Sequence, residues 1–375
     1  MSYPKRSLAM VISLMILTLS FIFSSSALAW GNRGHATVCE AAIFLVKDKS
    51  LREYLQQKPN MMGHLCNIPD TYWKGMGSKV SMLGNPTHFT DAEILGIPIE
   101  KIPLDYQALI KEYTGKKNAF KEGIIYSIPT EFGSNWWRAD QFYRRALEAG
   151  KKMKAAKIPE VLSYDRNDDT DFNKAAYEMV LNLGFMGHFV GDNGQPMHSA
   201  ADYDGYSTGH GGLHGYFEDG IVSAQDGDLL SKVIHRGREF QNEMTRKKSK
   251  DDIDFLKEKT LLEKMRALSS LSRKDLAKLY EMDPLIEKST QEDHKGFLNR
   301  KPAKRPPAET VAKKFEPLLV TELARSATLL AQLWDQAEIE AGSPDFSSYR
   351  SYKYPFTPEF VEPDYFDPAL VGEKK

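Results

Sequence analysis

Cysteine is scarce in this sequence, with two residues among 375. This scarcity excludes a disulfide scaffold and any zinc site built from four thiolates. An excess of either sign of charge is also lacking, because the 50 Lys and Arg residues nearly balance the 51 Asp and Glu residues and the net charge is −1. A general polyanion-binding surface is therefore excluded, and any contact with nucleic acid would have to be local. A convincing alternating strand pattern is missing too, whereas 41% hydrophobic residues are enough to form a core.

The N-terminus carries the pattern of a signal peptide. Residues 5–6 are Lys-Arg, residues 8–23 form an apolar run, and residues 27–29 read Ala-Leu-Ala. The alternative is an uncleaved membrane anchor, but the run is shorter than the ~20 residues that a span needs. We therefore predict that residues 1–29 are removed and that the mature protein, which starts at Trp30, is secreted or periplasmic.

Export leaves the state of the two cysteines open. In an oxidising compartment, Cys39 and Cys66 either form a disulfide or remain a pair of buried thiols, and their spacing does not decide between these states. Export also gives Trp30 a free α-amino group, which is a potential metal ligand.

Apolar periodicity predicts an all-α protein, with one mostly helical domain over residues 30–341. The clearest helix is expected at residues 172–190, which are apolar and free of proline. We expect a loop at residues 63–86, where Gly, Pro and Asn recur. Three further helices are expected: residues 33–48, residues 136–157 and a helix opened by Pro317.

Two segments depart from this helical pattern. Residues 294–308 are basic and rich in proline, which is typical of an exposed linker; contact with an anionic surface is the alternative. Residues 342–375 interleave prolines with aromatic residues, and the prolines forbid a long helix. We expect this tail to wrap in extended form over the helical body, with contact to a membrane surface as the alternative.

Five potential metal ligands lie within a short stretch of the sequence. His188 and Asp192 are four residues apart and share a face if the segment is helical. His198 follows soon after, and His214 and Glu218 repeat the four-residue spacing. Imidazole together with carboxylate suits Zn²⁺. The alternative for each residue is structural, with His188 a hydrogen-bonded core histidine and Glu218 a solvated carboxylate. Four other histidines lack such a pattern and are not assigned: His64, His210, His235 and His294.

These motifs resemble those of the superfamily that joins bacterial zinc-dependent phospholipase C to fungal and plant single-strand-specific zinc nucleases. The shared pattern is H-x3-D-x5-H followed by H-x3-E, preceded by Ala-Leu-Ala, Trp30 and His35. It covers about residues 30–220 and the helix near Trp334, and the basic insert and aromatic tail fall outside it. The resemblance implies a mostly helical monomer with three Zn²⁺, in which the N-terminal Trp binds zinc through its amino nitrogen and carbonyl oxygen.

The resemblance also implies a ligand set and a reaction. Asp70 in NIPD and His88 in THFTD match the two ligands that precede the main motif. The first zinc is then held by Asp70, His88, His188 and Asp192, the second by Trp30, His35 and the bridging Asp192, and the third by His198, His214 and Glu218. The implied reaction is phosphodiester hydrolysis by a zinc-held hydroxide, with Asp70 as the catalytic residue that orients or deprotonates the water.

Phospholipid is the substrate that we favour. The short interval between His198 and His214, the string GD-x-x-QPMH and the closing Glu218 resemble the phospholipase branch. Arg33, however, would oppose a cationic headgroup such as choline.

The alternative is a single-strand-specific nuclease acting on DNA or RNA. The spacing of Trp30 and His35 and the segment HFTDAE at 88–93 resemble the nucleases, in which an aromatic residue stacks on a base and an Asp binds the base edge. Phe89 and Asp91 would take these substrate-binding roles, unless Phe89 is a core residue. A non-catalytic zinc-binding helical protein is the third alternative.

Overall fold

The computed structural model describes residues 30–159, 168–246, 253–294, 297–351 and 353–371. The predicted signal peptide lies outside these ranges. The described residues are mostly helical, which confirms the all-α prediction. Within them, no helix combines the length and apolarity that crossing a bilayer requires.

Twelve α-helices and one two-stranded sheet lie in the described part of the chain. The helices are α1 (Gly31–Leu45), α2 (Lys49–Gln56), α3 (Pro59–Thr71), α4 (Ser78–Gly84), α5 (Tyr106–Tyr113), α6 (Ile128–Glu131), α7 (Asn135–Ala155), α8 (Asp171–Asn193), α9 (Leu213–Gly215), α10 (Leu229–Glu243), α11 (Leu261–Met282) and α12 (Ala312–Glu340). The strands are β1 (Thr290–His294) and β2 (Phe297–Lys301), which pair antiparallel.

Helix α8 lies at the centre of the fold. Thr170 caps it, because its side chain accepts the backbone N–H of Asn173. Every residue from Met179 to Asn193 is buried, as expected for a helix that packs against neighbours on all sides. It packs along α7 and against α3 and α12, while α1 packs against α3, α10 and α12. The prediction of a helix at 172–190 is confirmed, and this helix continues to Asn193.

The loop predicted at 63–86 is wrong, because α3 and α4 occupy much of it. Pro59 stands in the first turn of α3, where a missing N–H costs nothing, and Pro69 falls near its end. The prediction that Pro317 opens a helix is also wrong. Helix α12 begins at Ala312 and continues through Pro317, with buried Phe315 anchoring its first turn.

The structure contains two strands that the sequence did not predict. Residues 298–302 are exposed, as expected for the segment at 294–308, but this segment is more than a linker. Part of the linker forms β2, which pairs with β1. Arg305 is buried in the same segment, with its guanidinium on the carboxylate of Asp283 at 2.6 Å. A buried cation of this kind needs a carboxylate partner, and the sequence did not indicate which one it would find.

The C-terminal tail crosses the helical body in extended form, as predicted. The Trp73 indole donates a hydrogen bond to the carbonyl of Pro358 at 3.0 Å. Phe346 and Phe366 are buried, so these rings belong to the core. Phe356, in contrast, is 67% exposed. Contact between the tail and a membrane surface stays a prediction and would have to rely on the exposed rings.

Candidate metal centre

Three buried groups of histidine and carboxylate side chains could each hold a metal ion. Within each group, the candidate ligand atoms lie within 4.8 Å of one another. The first group is Asp70, His88 and His188, the second is His35, His188 and Asp192, and the third is His198, His214 and Glu218. The structure thus brings together eight of the nine residues that the sequence suggested as metal ligands.

Three helices meet at the first two groups, and a disulfide joins two of these helices. Cys39 of α1 is bonded to Cys66 of α3, which decides the question that the spacing left open. His35 precedes Cys39 by one helical turn, and Asp70 follows Cys66 by one turn. Gly187 of α8 lies against both sulfurs, where a methyl group would overlap them. The next residue along α8 is His188, so the close approach of the three helices brings the ligands together.

Asp192 lies between the first and second groups. Its Oδ1 is 3.3 Å from His35 Nε2. Its Oδ2 is 3.2 Å from His88 Nδ1 and 3.3 Å from His188 Nε2. The two oxygens of one fully buried carboxylate therefore face different histidines, which is the geometry that a bridging ligand needs.

Backbone carbonyls orient two of the imidazoles. His188 Nδ1 donates to the carbonyl of Cys66 at 2.7 Å, and His198 Nδ1 donates to the carbonyl of His88 at 2.7 Å. A carbonyl oxygen only accepts, so each Nδ1 carries a proton and the lone pair of the neutral ring is on Nε2. His188 Nε2 faces His88 Nδ1 at 2.9 Å. His198 Nε2 likewise faces His214 Nε2 at 3.0 Å. Outer hydrogen bonds of this type are typical of metal-binding histidines.

Several buried polar atoms of these groups have no hydrogen-bond partner. His35 is fully buried, and neither of its ring nitrogens makes a hydrogen bond. The same holds for Asp192 Oδ1 and Glu218 Oε1. Leaving such a group unsatisfied costs about 1–3 kcal/mol. A metal ion would satisfy these atoms, so the donor set fits a metal.

Burial sets the protonation of the histidines, except where carboxylates outweigh it. Burial lowers the pKa of His35, and the neighbouring His188 lowers it further. Burial also lowers the pKa of His88 to about 4, with the charge of Lys74 adding to the effect. Burial acts on His198 in the same direction, but Asp192 and Glu218 outweigh it and raise the pKa of His198 to about 9. A metal ion must therefore displace a proton from His198 at neutral pH.

Two short consecutive elements supply two of the three side chains of the third group, His214 and Glu218, and His198 comes from the turn after α8. His214 lies on α9, which continues into a π-helical turn at Tyr216–Ile221 that carries Glu218. His214 Nε2 is 2.6 Å from Glu218 Oε2. The side chain of Gln195 donates to the same oxygen at 3.0 Å. The predicted four-residue spacing therefore does put both side chains on one side of the segment.

Trp30 adjoins the second and third groups. Its backbone nitrogen lies 3.1 Å from Glu218 Oε2, and its indole donates to the carbonyl of Gly191 at 2.6 Å. His35 Nδ1 packs against the same glycine, 3.0 Å from where a Cβ would stand. The Trp30 nitrogen therefore points at a predicted ligand of the third zinc, although the resemblance assigned Trp30 to the second.

Lys74 belongs to this region and was not found from the sequence. Its Nζ lies 2.5 Å from Asp70 Oδ1, one turn along from it. The four-residue spacing is the signal that would have found it, but residues 63–86 were expected to be a loop. Lys74 and the histidines outweigh the effect of burial and hold the pKa of Asp70 below its usual range.

Phe89 and Asp91 lie next to the first group along the chain. Phe89 is half-buried, and its ring packs against Gly133, 2.8 Å from where a Cβ would stand. Asp91 donates its backbone N–H to Phe132 at 2.7 Å, and one of its carboxyl oxygens is buried without a hydrogen bond. Burial, with Glu93 adding to it, raises the pKa of Asp91 well above its usual range. A protonated Asp91 can donate a hydrogen bond.

Arg33 is held against the backbone that follows the π-helical turn. Its guanidinium donates to four backbone carbonyls after the π-helical turn, at 2.6 to 3.0 Å: those of Val222, Ser223, Gln225 and Asp226. These contacts hold the guanidinium in place, but the carbonyls are neutral and leave its positive charge. The expectation that Arg33 opposes a cationic headgroup stays a prediction.

His210, which the sequence left unassigned, has a structural role. Its Nδ1 lies 2.7 Å from Asp283, and its ring stacks on Tyr280.

No family model matches this chain, and no curated protein matches it with significant similarity. The resemblance to the zinc phosphodiesterases therefore stays a prediction that rests on the sequence motifs.

Proposed function

We propose that this protein binds three Zn²⁺ and hydrolyses phosphodiester bonds. The observation that carries the proposal is the orientation of His188 and His198, whose Nδ1–H groups are held by backbone carbonyls while Nε2 faces the other candidate ligands. The proposed ligands are those suggested by the sequence: Trp30, His35, Asp70, His88, His188, Asp192, His198, His214 and Glu218.

The donor set favours zinc over other metals. It combines imidazole with carboxylate and contains no thiolate, because both cysteines are in the disulfide. Zinc supplies Lewis-acid chemistry, since it lowers the pKa of water towards ~7 and offsets the negative charge of a phosphodiester. A site for Ca²⁺ or Mg²⁺ would instead consist mainly of oxygen ligands.

Asp70 is the proposed catalytic residue. Lys74 neutralises its Oδ1, while its Oδ2 makes no hydrogen bond. Oδ2 is therefore available to orient the attacking water and to accept a proton from it. The pKa of Asp70 below its usual range keeps the carboxylate ionised for this role.

Phospholipid remains the favoured substrate, with cleavage of phospholipase C type. The short interval between His198 and His214 supports this choice, as does Glu218 at the end of the motif. Arg33 keeps its positive charge, because the carbonyls that bind it are neutral, so a cationic headgroup such as choline stays disfavoured. Hydrolysis would release diacylglycerol and a phosphorylated headgroup.

A single-strand-specific nuclease is the second candidate, and Phe89 with Asp91 favours it. Phe89 is partly accessible for stacking on a base, and a protonated Asp91 could donate to a base edge.

A side-by-side assay of the mature protein, starting at Trp30 and loaded with zinc, tests the proposal. The substrates are phosphatidylcholine or phosphatidylethanolamine vesicles and single-stranded DNA or RNA, with Asp70→Asn as the inactive control. Diacylglycerol release without oligonucleotide cleavage would support the phospholipase. Nucleotide release alone would make it a nuclease, and three bound zinc ions without turnover on any substrate would leave a non-catalytic zinc protein.

A further inference from the structure

The β-hairpin formed by β1 and β2 lies beside the loop at residues 200–212, which connects His198 to His214 of the third group. Gln291 of β1 pairs with Arg300 of β2. Just before β1, the backbone N–H of Ser289 donates to the carbonyl of Gly209 at 2.9 Å. Strand β1 also contacts the turn at Tyr206–Thr208. The loop and the hairpin are therefore held in a defined relative position.

Arg300 carries a positive charge that this part of the chain does not neutralise. Its Nε donates to the neutral amide oxygen of Gln291 at 2.9 Å, and its guanidinium lies 5.0 Å from the ring centroid of Tyr206. Among the described residues, no carboxylate lies within ion-pair distance of Arg300. The basic residues that follow it do have such partners: Lys301 and Lys304 pair with Glu287, and Arg305 pairs with Asp283.

Tyr203 connects this cation to the third group. Its ring meets the His214 ring edge-on, with centroids 5.8 Å apart, and it is 47% exposed. Tyr206, whose ring faces the Arg300 guanidinium, is three residues from Tyr203 in the same loop. Asp204 is committed to the loop, because it accepts the backbone N–H of His214 at 3.3 Å. The rim of the third group thus presents an aromatic ring and a free guanidinium.

An apolar side chain extends the same surface. Leu298 precedes Arg300 by two residues in β2, so both project from one face of the hairpin. Leu298 is 54% exposed. An exposed leucine beside an unpaired guanidinium suits a phospholipid whose headgroup carries no positive charge.

We propose that Arg300, with Tyr203, selects phospholipids whose headgroup lacks a cation, so that phosphatidylglycerol is hydrolysed in preference to phosphatidylcholine. This rests on the proposed phospholipase function. A guanidinium at the rim of the centre attracts the net negative charge of phosphatidylglycerol. It repels the trimethylammonium group of choline, which cancels the phosphate charge in phosphatidylcholine.

The test compares kcat/KM on dihexanoylphosphatidylglycerol and dihexanoylphosphatidylcholine, both kept below the concentration at which micelles form. Monomeric substrates remove the general attraction of the basic segment at 294–308 to an anionic surface. The variants are R300Q, R300K and K304Q, with zinc content and thermal unfolding measured for each. K304Q is the matched control, because it removes one positive charge from the same segment while Glu287 keeps Lys301 as its partner.

We expect the wild type to prefer phosphatidylglycerol, and R300Q to lower the preference about fivefold, as for an exposed ion pair. R300K should keep most of the preference, and K304Q should keep all of it. In the wild type, raising the salt from low to high concentration should also lower the preference, because an exposed charge is screened. This last measurement does not depend on the folding of any variant.

An unchanged preference in R300Q would overturn the proposal, as would an equal loss in R300Q and K304Q. A wild type that prefers phosphatidylcholine would overturn it too. If the wild type cleaves neither lipid but cleaves single-stranded DNA, the proposed phospholipase function itself fails, and this failure is visible before any variant is made.

Discussion

Removing the Cys39–Cys66 disulfide is expected to destabilise the metal-free protein by about 3.5 kcal/mol. The bond joins residues 27 positions apart. Closing a loop of that length lowers the entropy of the unfolded chain by an amount that corresponds to about 3.5 kcal/mol at 25 °C. Total stabilities of about 5–15 kcal/mol are usual, so a Cys39→Ala, Cys66→Ala variant should still fold but with much of its margin lost.

Urea unfolding of metal-free protein measures this loss. The same variant should also bind zinc more weakly in the first and second groups, since His35 and Asp70 are each one turn from a bonded cysteine. The third group contains no residue of α1 or α3 and should keep its affinity. Wild-type protein reduced under the same conditions is the control without a mutation. A loss below about 1 kcal/mol would refute the reasoning, because it would mean that packing alone constrains these helices.

Four further predictions concern single residues. Asp192→Asn should lose two zinc ions together, measured by metal analysis, because its two oxygens face both the first and second groups; loss of one ion alone would contradict bridging. Metal-free protein should lose about 3 kcal/mol of stability as the pH rises from 6.5 to about 9. The reason is that protonated His198 stabilises the fold below pH 6.5, and this contribution disappears above about pH 9. Urea midpoints should fall over that window, and much less in His198→Gln. Phe346→Ala should cost about 3–5 kcal/mol in the same assay, since a buried ring stacked on Tyr54 is lost; a cost below 1 kcal/mol would mean that the tail does not stabilise the body. Phe89→Ala should weaken oligonucleotide hydrolysis far more than lipid hydrolysis if the nuclease alternative holds, and equal effects would indicate a core role.

Spacing along a helix was the part of the site that the sequence predicted best. His188 and Asp192 are four residues apart in an uninterrupted apolar segment, so a shared helical face followed directly. His214 and Glu218 also come together, although their segment is partly π-helical. Asp70 and His88 have no such local signal, and only the resemblance to a family suggested them.

Prolines and charged residues account for most of what the sequence did not predict. Pro69 and the glycines of residues 63–86 made part of a helix look like a loop, because the effect of proline depends on its position in the helix. This error also hid Lys74, which is found only once Asp70 is placed on a helix. Arg305 appeared to be part of an exposed basic linker, but it is buried on Asp283, a partner 22 residues away that no local pattern indicates.

Cys66 shows why the centre depends on tertiary structure as well as on its ligands. The sulfur of this residue is bonded to α1, and its carbonyl oxygen accepts the Nδ1–H of His188 on α8. One residue of α3 therefore fixes the distance between two helices and the tautomer of a ligand on the third. Spacing in the sequence can suggest that His188 is a ligand, but only this contact sets which of its nitrogens faces the other groups. A metal centre of this type is then assembled when the helices pack, and a change at Cys66 is expected to affect stability and metal binding together.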